Sequence, residues 1–462
     1  MIENIITENN HSLPNLFPFI TFRQEFFGGL VYNPYLSLET VLDPIEALIT
    51  KMCVDHYQIS DAESIIVSRY GLSNDVAKTY IKNTISKLGS SAAIGKHHTP
   101  ALSKTQAPEM IYFEIDSPPL SAPKDVIWEI THHCNLHCAH CLNASGSHQR
   151  DNLDFNQLCK IGEEFANEKV LRVSLSGGEP LTYKRILDLI KILAEKNLRI
   201  DIASNGTYLP EEMLTALRDL PIFHIQVSID GNAAIHDKVR GKQGAFSMAT
   251  NNLRRLKDEG ISTSISTTVT HQNIGLLDYI LDHAVKLGCS SFKAIPFVPT
   301  GRGLNNLESL QLSPQEHYSM CKWIKEKSDE MKDIISISTD TTFTFLLNGN
   351  AGNDTMDGHI GCAAGHDTLC VSADGTVYPC PFLRDFPIGK IPQTSLKEIW
   401  MYSPVLEKLR NIQKSNMAEP CNQCDAALRL CGGGCRAMAY LSSGDLLGVD
   451  PNCFRITMPQ IN

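Results

Sequence analysis

Nowhere in the 462 residues do 18 apolar residues run together, so no membrane-spanning helix is expected. Met1 to Asn10 have neither a basic stretch nor an apolar core, so no secretory signal is read there and a cytoplasmic protein is expected. Positive charge is also in short supply. Lys and Arg number 41 against 51 Asp and Glu, and the formal net charge of -10 repels a phosphate backbone, so no nucleic-acid partner is expected. The remainder, 42% hydrophobic and 20% charged, is the composition of a globular chain long enough for two or three domains. Peptides or small molecules suit such a surface.

Cysteine, by contrast, is abundant. In a cytoplasmic chain, 15 clustered cysteines read as metal binding or catalysis and not as disulfides. Eleven of them fall in two clusters, Cys134 to Cys141 and Cys362 to Cys453. The others, Cys53, Cys159, Cys289 and Cys321, sit in apolar-periodic surroundings and read as small buried hydrophobes. The first cluster, Thr131-His-His-Cys134-Asn-Leu-His-Cys138-Ala-His-Cys141, directly follows a β-like run, Val126 to Ile130. Three thiolates on one tight loop can hold a four-iron cubane with one iron left open for substrate. The competing reading is zinc, which C-x2-C pairs with nearby histidines also bind.

This C-x3-C-x2-C loop resembles that of radical S-adenosylmethionine (SAM) enzymes. His140 stands where the family often has an aromatic residue. The resemblance implies a [4Fe-4S] cluster on Cys134, Cys138 and Cys141 whose open iron chelates the methionine part of SAM. It also implies a 5′-deoxyadenosyl radical that abstracts hydrogen from substrate.

Ahead of that loop, Phe17 to Tyr32 and Leu36 to Val41 read as short strands with a turn at Asn33-Pro34. Three helices follow, Pro44 to His56, Asp61 to Tyr70 and Asn74 to Leu88, the second opened by a Ser60-x-x-Glu63 capping box. Strands then helices suggest a winged-helix-like domain over 1–92. The segment carries more acids than bases, which disfavours DNA. It resembles the PQQ-chaperone-like domain with which peptide maturases capture a leader peptide by strand addition. Residues 93–123, rich in Pro and Ser, read as a linker.

From Val126 strand and helix alternate. Expected strands are Val126 to Ile130, Leu171 to Ser176, Arg199 to Ser204, His224 to Ile229, Thr263 to Val269 and Ser291 to Phe297, with helices between and after them. Repeated βα units imply a parallel sheet, so the expected fold is α/β, a partial (β/α)6 barrel over 124–340 with its site at the strand C-termini. Ser176-Gly177-Gly178-Glu179-Pro180 ends the second strand and matches the family's GGEP motif, which implies that the turn backbone and Glu179 hold the methionine amino group. By the same resemblance Asn205 and Ser228 lie near the nucleoside sugar and Arg240 near the methionine carboxylate. On their own, Asn205 and Asp230 are residues that shape turns. Pro296 and Gly301-Arg-Gly303 suggest a wall beside the adenine.

Besides Cys370, the second cluster comprises Cys362, Cys380, Cys421-x2-Cys424-x6-Cys431-x3-Cys435 and Cys453. It resembles the SPASM extension, with one residue inserted between Cys424 and Cys431, and implies a cysteine-rich iron–sulfur domain over 341–462 with two auxiliary [4Fe-4S] clusters. A zinc ribbon over Cys421 to Cys435 is the alternative. In the family's wiring Cys421, Cys424, Cys431 and Cys453 hold one auxiliary cluster and Cys362, Cys380 and Cys435 the other. Met356 to Gly361 contains no further cysteine, so the fourth position is left to Cys370 or to a substrate thiolate on an open iron.

The whole reads as a radical SAM/SPASM peptide maturase that forms a thioether in a ribosomally made precursor peptide, with a flavodoxin- or ferredoxin-type electron donor. Pro381-Phe382-Leu383 after Cys380 disfavours the anaerobic sulfatase-maturase branch. Carbon–carbon cross-linking, epimerisation and decarboxylation, as in PQQ- or mycofactocin-type maturation, stay open. A precursor-binding scaffold or electron carrier is the non-enzyme alternative; the cysteine loop together with Gly177-Gly178-Glu179 speaks against it.

Overall fold

The computed structural model describes residues 12–94, 118–147, 153–341, 343, 361–425 and 431–458. The chain divides into two compact units, Met1–Ser121 and Ala122–Asn462. The Met1 to Asn10 segment, most of the expected linker and Met356 to Ile360 lie outside the described residues.

In the first unit, β1 (Thr21–Glu25), β2 (Gly28–Asn33) and β3 (Leu38–Leu42) form an antiparallel sheet in that order. The run read as one strand, Phe17 to Tyr32, is thus two strands joined by a turn at Phe26 and Phe27. Gly28 makes the fold-back possible: its φ is +136°, and a Cβ there would lie 2.2 Å from Leu42 O. Helices α1 (Pro44–Val54), α2 (Ile59–Tyr70) and α3 (Asn74–Ser90) follow. Asp43 caps α1, its carboxylate accepting from the Ile45 and Glu46 amides while Glu46 returns a bond to Asp43 N. The Ser60 box expected for α2 is not used. Gln58, bonded to Ser12 Oγ at 3.0 Å, holds the chain extended, and the helix starts at the next residue. Phe22, Val31, Leu42, Ile49, Ile66, Ile85 and Leu88 form the core, joined by Cys53 and by Ala93 and Ile94, which had been assigned to the linker. Burial pushes the Cys53 thiol up to about 12, as befits an inert core residue.

The second unit is built on one sheet. Strands β4 (Asp125–Thr131), β5 (Arg172–Gly177), β6 (Arg199–Ser204), β7 (His224–Ser228), β8 (Thr263–Val269) and β9 (Ser291–Pro296) pair in sequence order, all parallel. Helices α4 (Phe155–Asn167), α5 (Ile186–Glu195), α6 (Glu211–Arg218), α7 (Ala233–Arg240), α8 (Ala245–Asp258) and α9 (Leu277–Lys286) connect them. Short α10 (Leu307–Leu310) and long α11 (Pro314–Met331) lead to β10 (Ser336–Thr339), parallel to β9. On the other side of β4 stands β11 (Thr368–Val371), also parallel, then antiparallel β12 (Thr376–Tyr378) and β13 (Gly389–Lys390). Alternation along β4 sets its two faces. Val126, Trp128 and Ile130 enter the apolar core, where Trp128 meets Phe165 of α4 edge-on at 5.2 Å. The other face carries Glu129, and beyond the strand end comes the cysteine loop.

Candidate functional site

The cysteine loop leaves β4 at Thr131 and is bound at once to the end of β5. Gly178 N donates to Thr131 O at 2.7 Å and Glu179 N to His133 O at 2.8 Å. These contacts require glycine. A Cβ on Gly177 (φ +127°) would lie 2.3 Å from Thr131 O, and one on Gly178 only 2.0 Å from His133 O. Cys134 and Cys138 are buried, with Cys141 packed against them. Burial drives the Cys134 thiol up to about 12, and negative charge on Glu179, Cys138 and Cys141 adds to the rise. Such thiols ionise only beside a strong cation, so the donor set fits an iron group. Among the described residues no three His, Cys, Asp or Glu side chains gather as tightly as a single metal ion requires. A cubane spaces its thiolates more widely.

Glu179 is fully buried and braces two strand ends. One carboxylate oxygen accepts from Leu181 N and Ser204 Oγ, the other from Asn205 N at 2.6 Å. Burial pushes its pKa up to about 7 in spite of these donors. The carboxylate is turned inward, so the ligand side of the turn is left to its backbone. Asn205 shapes a turn, accepting from Thr207 N at 2.8 Å, and its amide also donates to Asn135 Oδ1 and reaches Cys134 Sγ at 3.9 Å. Ser228 is half-buried at the end of β7, opposite Ser266.

Arg240 ends α7, a helix missed from sequence, and lies buried with Nε 2.7 Å from Asp230 Oδ2 and Nη1 3.9 Å from Cys138 Sγ. His140 Nε2 is 3.6 Å from the same Asp230 oxygen, and Asp230 N donates to His236 Nδ1. Burial holds His140 neutral, its pKa down at about 4. Asp230 therefore anchors Arg240 to the cysteine loop in addition to any part in a turn.

The Gly301-Arg-Gly303 run packs onto the cysteine loop. Arg302 grips the cysteine loop, donating to Cys138 O at 2.8 Å, Ala144 O at 3.3 Å and Ser145 O at 2.9 Å, while Asn306 donates to Ala139 O. Gly301 passes so close to Leu142 O that a Cβ would lie 2.4 Å away. Sequence reading missed Arg302; the flanking glycines were the available signal.

Seven of the eight C-terminal cysteines fall into two groups. Cys431 is driven up to about 12 by burial, with Cys453, Cys424 and Cys421 as its neighbouring thiols. Cys435 is raised by burial, with Cys362 and Cys380 beside it, and its backbone N–H donates to the buried Asp450 carboxylate at 2.7 Å. Cys370 lies on β11 with its thiol fully buried near Glu129, Arg384 and Cys380.

The radical SAM superfamily model matches residues 128–284, and the SPASM model, an iron–sulfur cluster-binding domain, matches residues 362–425. An AdoMet-dependent heme synthase from Methanosarcina barkeri is 31% identical over 72% of this chain and 97% of its own. The mycofactocin maturase MftC of Mycolicibacterium smegmatis is 30% identical over 72% of this chain and 83% of its own. Streptococcus suis SuiB bound to S-adenosylmethionine shares the fold at TM-score 0.70 and 16% identity, over 95% of this chain and 99% of that one. SuiB bound to precursor peptide SuiA also gives 0.70, over 95% and 98% of the two chains.

Proposed function

The chain belongs to the radical SAM superfamily and is a radical SAM enzyme with a SPASM region, and from that premise we propose that it matures a ribosomally made precursor peptide. Its cofactors are S-adenosylmethionine with a [4Fe-4S] cluster and the auxiliary iron–sulfur clusters of the SPASM region. Cys134, Cys138 and Cys141 hold the first cluster; Cys421, Cys424, Cys431 and Cys453 hold one auxiliary cluster, and Cys362, Cys380 and Cys435 the other. When bound, the first cluster and SAM would supply the one-electron chemistry that removes a hydrogen atom from substrate.

The protein's own residues fix where that happens. Gly177 and Gly178 let β5 close on the loop, Glu179 ties this turn to β6, and Arg302 and Arg240 hold the loop from the far side. Asn205 and Arg240 bring N–H groups toward Cys134 and Cys138, contacts that stabilise thiolate charge. A small electron-transfer protein is the expected source of the reducing electron.

The observation that carries the peptide reading is the first unit. A three-stranded sheet with two edge strands, followed by three helices, precedes an enzyme unit complete in itself, in a chain matched over 95% of its length by the fold of a protein solved with a precursor peptide. We read this unit as a winged-helix-like leader-binding domain that takes the leader as a further strand. The heme-synthase and MftC matches alike leave more than a quarter of the chain outside.

For the bond formed, thioether closure is the first reading, supported by an auxiliary cluster with three cysteine ligands and Cys370 held on a strand beside it. Mycofactocin-type maturation is the second, favoured by the 30% identity to MftC. The test is anaerobic turnover with the precursor encoded in a neighbouring short reading frame. A product two hydrogens lighter with one fewer alkylatable thiol supports the thioether, and loss of carbon dioxide supports the second reading. Deleting residues 1–92 should abolish peptide modification while SAM cleavage persists; unchanged peptide affinity in that variant would overturn the leader-binding role.

A further inference from the structure

Glu129, on β4, is 2% exposed, and its charge is met by Arg384, a residue of the C-terminal region. The pair lies between the two thiol sets. On one side, Asn143, two residues after Cys141, is fixed in the cysteine loop by Ser145, whose N and Oγ donate to its Oδ1, and its Nδ2 donates to Glu129 Oε1 at 3.2 Å. On the other, Arg384 Nη1 donates to Glu129 Oε2 at 3.1 Å, Nη2 bonds Oε1, and Nε donates to Pro381 O at 2.7 Å, one residue from Cys380. The guanidinium also lies over the Tyr378 ring, 5.1 Å from its centre. A continuous polar chain therefore runs from Asn143, two residues after Cys141, to Pro381, the residue after Cys380.

An apolar pair of equal volume would join β4 to this turn without desolvating two charges, so adhesion alone does not account for the pair. Charges this close to thiolate-bound clusters change the relative stability of their oxidised and reduced states. We propose that Glu129 and Arg384 form an electrostatic coupling element: they hold the loop of Cys141 and the turn of Cys380 in one hydrogen-bonded chain, and their mutual neutrality sets the reduction potentials of the clusters on either side. Both are positioning residues. The inference rests on the assignment of Cys141 and Cys380 to two different clusters.

The test is a redox titration of the anaerobically loaded holoenzyme followed by electron paramagnetic resonance, with iron counted per chain. Glu129→Gln leaves Arg384 unbalanced and should raise the midpoint potentials of the clusters on the Cys134 and Cys362 sets. Arg384→Gln leaves Glu129 unbalanced and should lower both, while the cluster on Cys421, Cys424, Cys431 and Cys453 moves least. The double variant restores neutrality and should return both potentials toward those of the unaltered protein. Shifts of one sign in both single variants, or none, overturn the proposal. Should one single variant fail to load, the sign of the shift in the other decides: a potential that does not move, or moves the opposite way, overturns the proposal. If the cluster assignment itself is wrong, the signals are missing from the unaltered protein; if only the coupling is wrong, they are present and do not move.

Discussion

Gly178→Ala offers the sharpest test of how the cysteine loop is held. The added methyl would lie 2.0 Å from His133 O and 2.5 Å from its carbonyl carbon, where ordinary contact begins at 3.4 Å, so the loop must retreat by roughly 1.4 Å. Backbone is all it meets, and no side chain can rotate away. The retreat stretches the Gly178-to-Thr131 and Glu179-to-His133 hydrogen bonds, now 2.7 and 2.8 Å, and carries Cys134 with it. Two lost bonds at about 1 kcal/mol each plus about 1–3 kcal/mol of overpacking put the cost at about 3–5 kcal/mol. A displacement of this size next to the reacting centre is worth on the order of 100-fold in rate. The assay is iron loading followed by the rate of 5′-deoxyadenosine release without peptide, which should fall by about that factor. Gly146→Ala is the control: the same loop has nothing within 4 Å of a Cβ there, and activity should be unchanged. Equal behaviour of the two variants, or normal cleavage by Gly178→Ala, would refute the reasoning.

Replacing Cys134, Cys138 and Cys141 together by Ala should remove about four of roughly 10–12 irons per chain and abolish SAM cleavage; stoichiometric zinc in the unaltered protein would contradict it. Arg302→Gln removes three donors to the loop carbonyls, at a cost of about 2 kcal/mol, and should make the first cluster more sensitive to chelators while the auxiliary ones persist. His317, held by burial at about 4 against an ordinary 6.5, is neutral in the fold and takes up a proton on unfolding. Its contribution is therefore complete above pH 6.5 and lost as pH falls through 4, at most about 3 kcal/mol. His317→Gln should flatten the acid-side slope of thermal stability, and an identical slope would count against the burial argument.

The six parallel strands from β4 to β9 were legible because their partners are sequence neighbours, and apolar runs mark each one, with Gly177 closing β5 and Asn205 following β6. Strand Arg199–Ser204 appears within the bounds read from sequence. The cysteine loop and Gly177-Gly178 were legible for another reason: thiols and paired glycines have few other uses at such spacing. What escaped were features set by distant partners. The four residues of β11 look like any short apolar run until β4 pairs with them. Arg302 reads as a loop arginine, its meaning fixed by carbonyls some 160 residues earlier. The Ser60 box was a valid local signal overruled by the Gln58 contact with Ser12.

Strand β4 has β5 on one side and β11 on the other, and Asp125 and Thr368, which lie opposite each other, are separated by more than half the chain. During synthesis from the amino end, the strand bearing the cysteine loop emerges long before its outer neighbour exists. Until Thr368–Val371 is made, that outer edge offers unpaired backbone groups to any other strand, and edges of this kind aggregate. Any pause in translation between β4 and β11 lengthens that exposure and should therefore lower soluble yield. The same geometry limits protein engineering. A shortened enzyme cut after α11 would strip the cover from β4, whereas a cut placed beyond β11 would keep it.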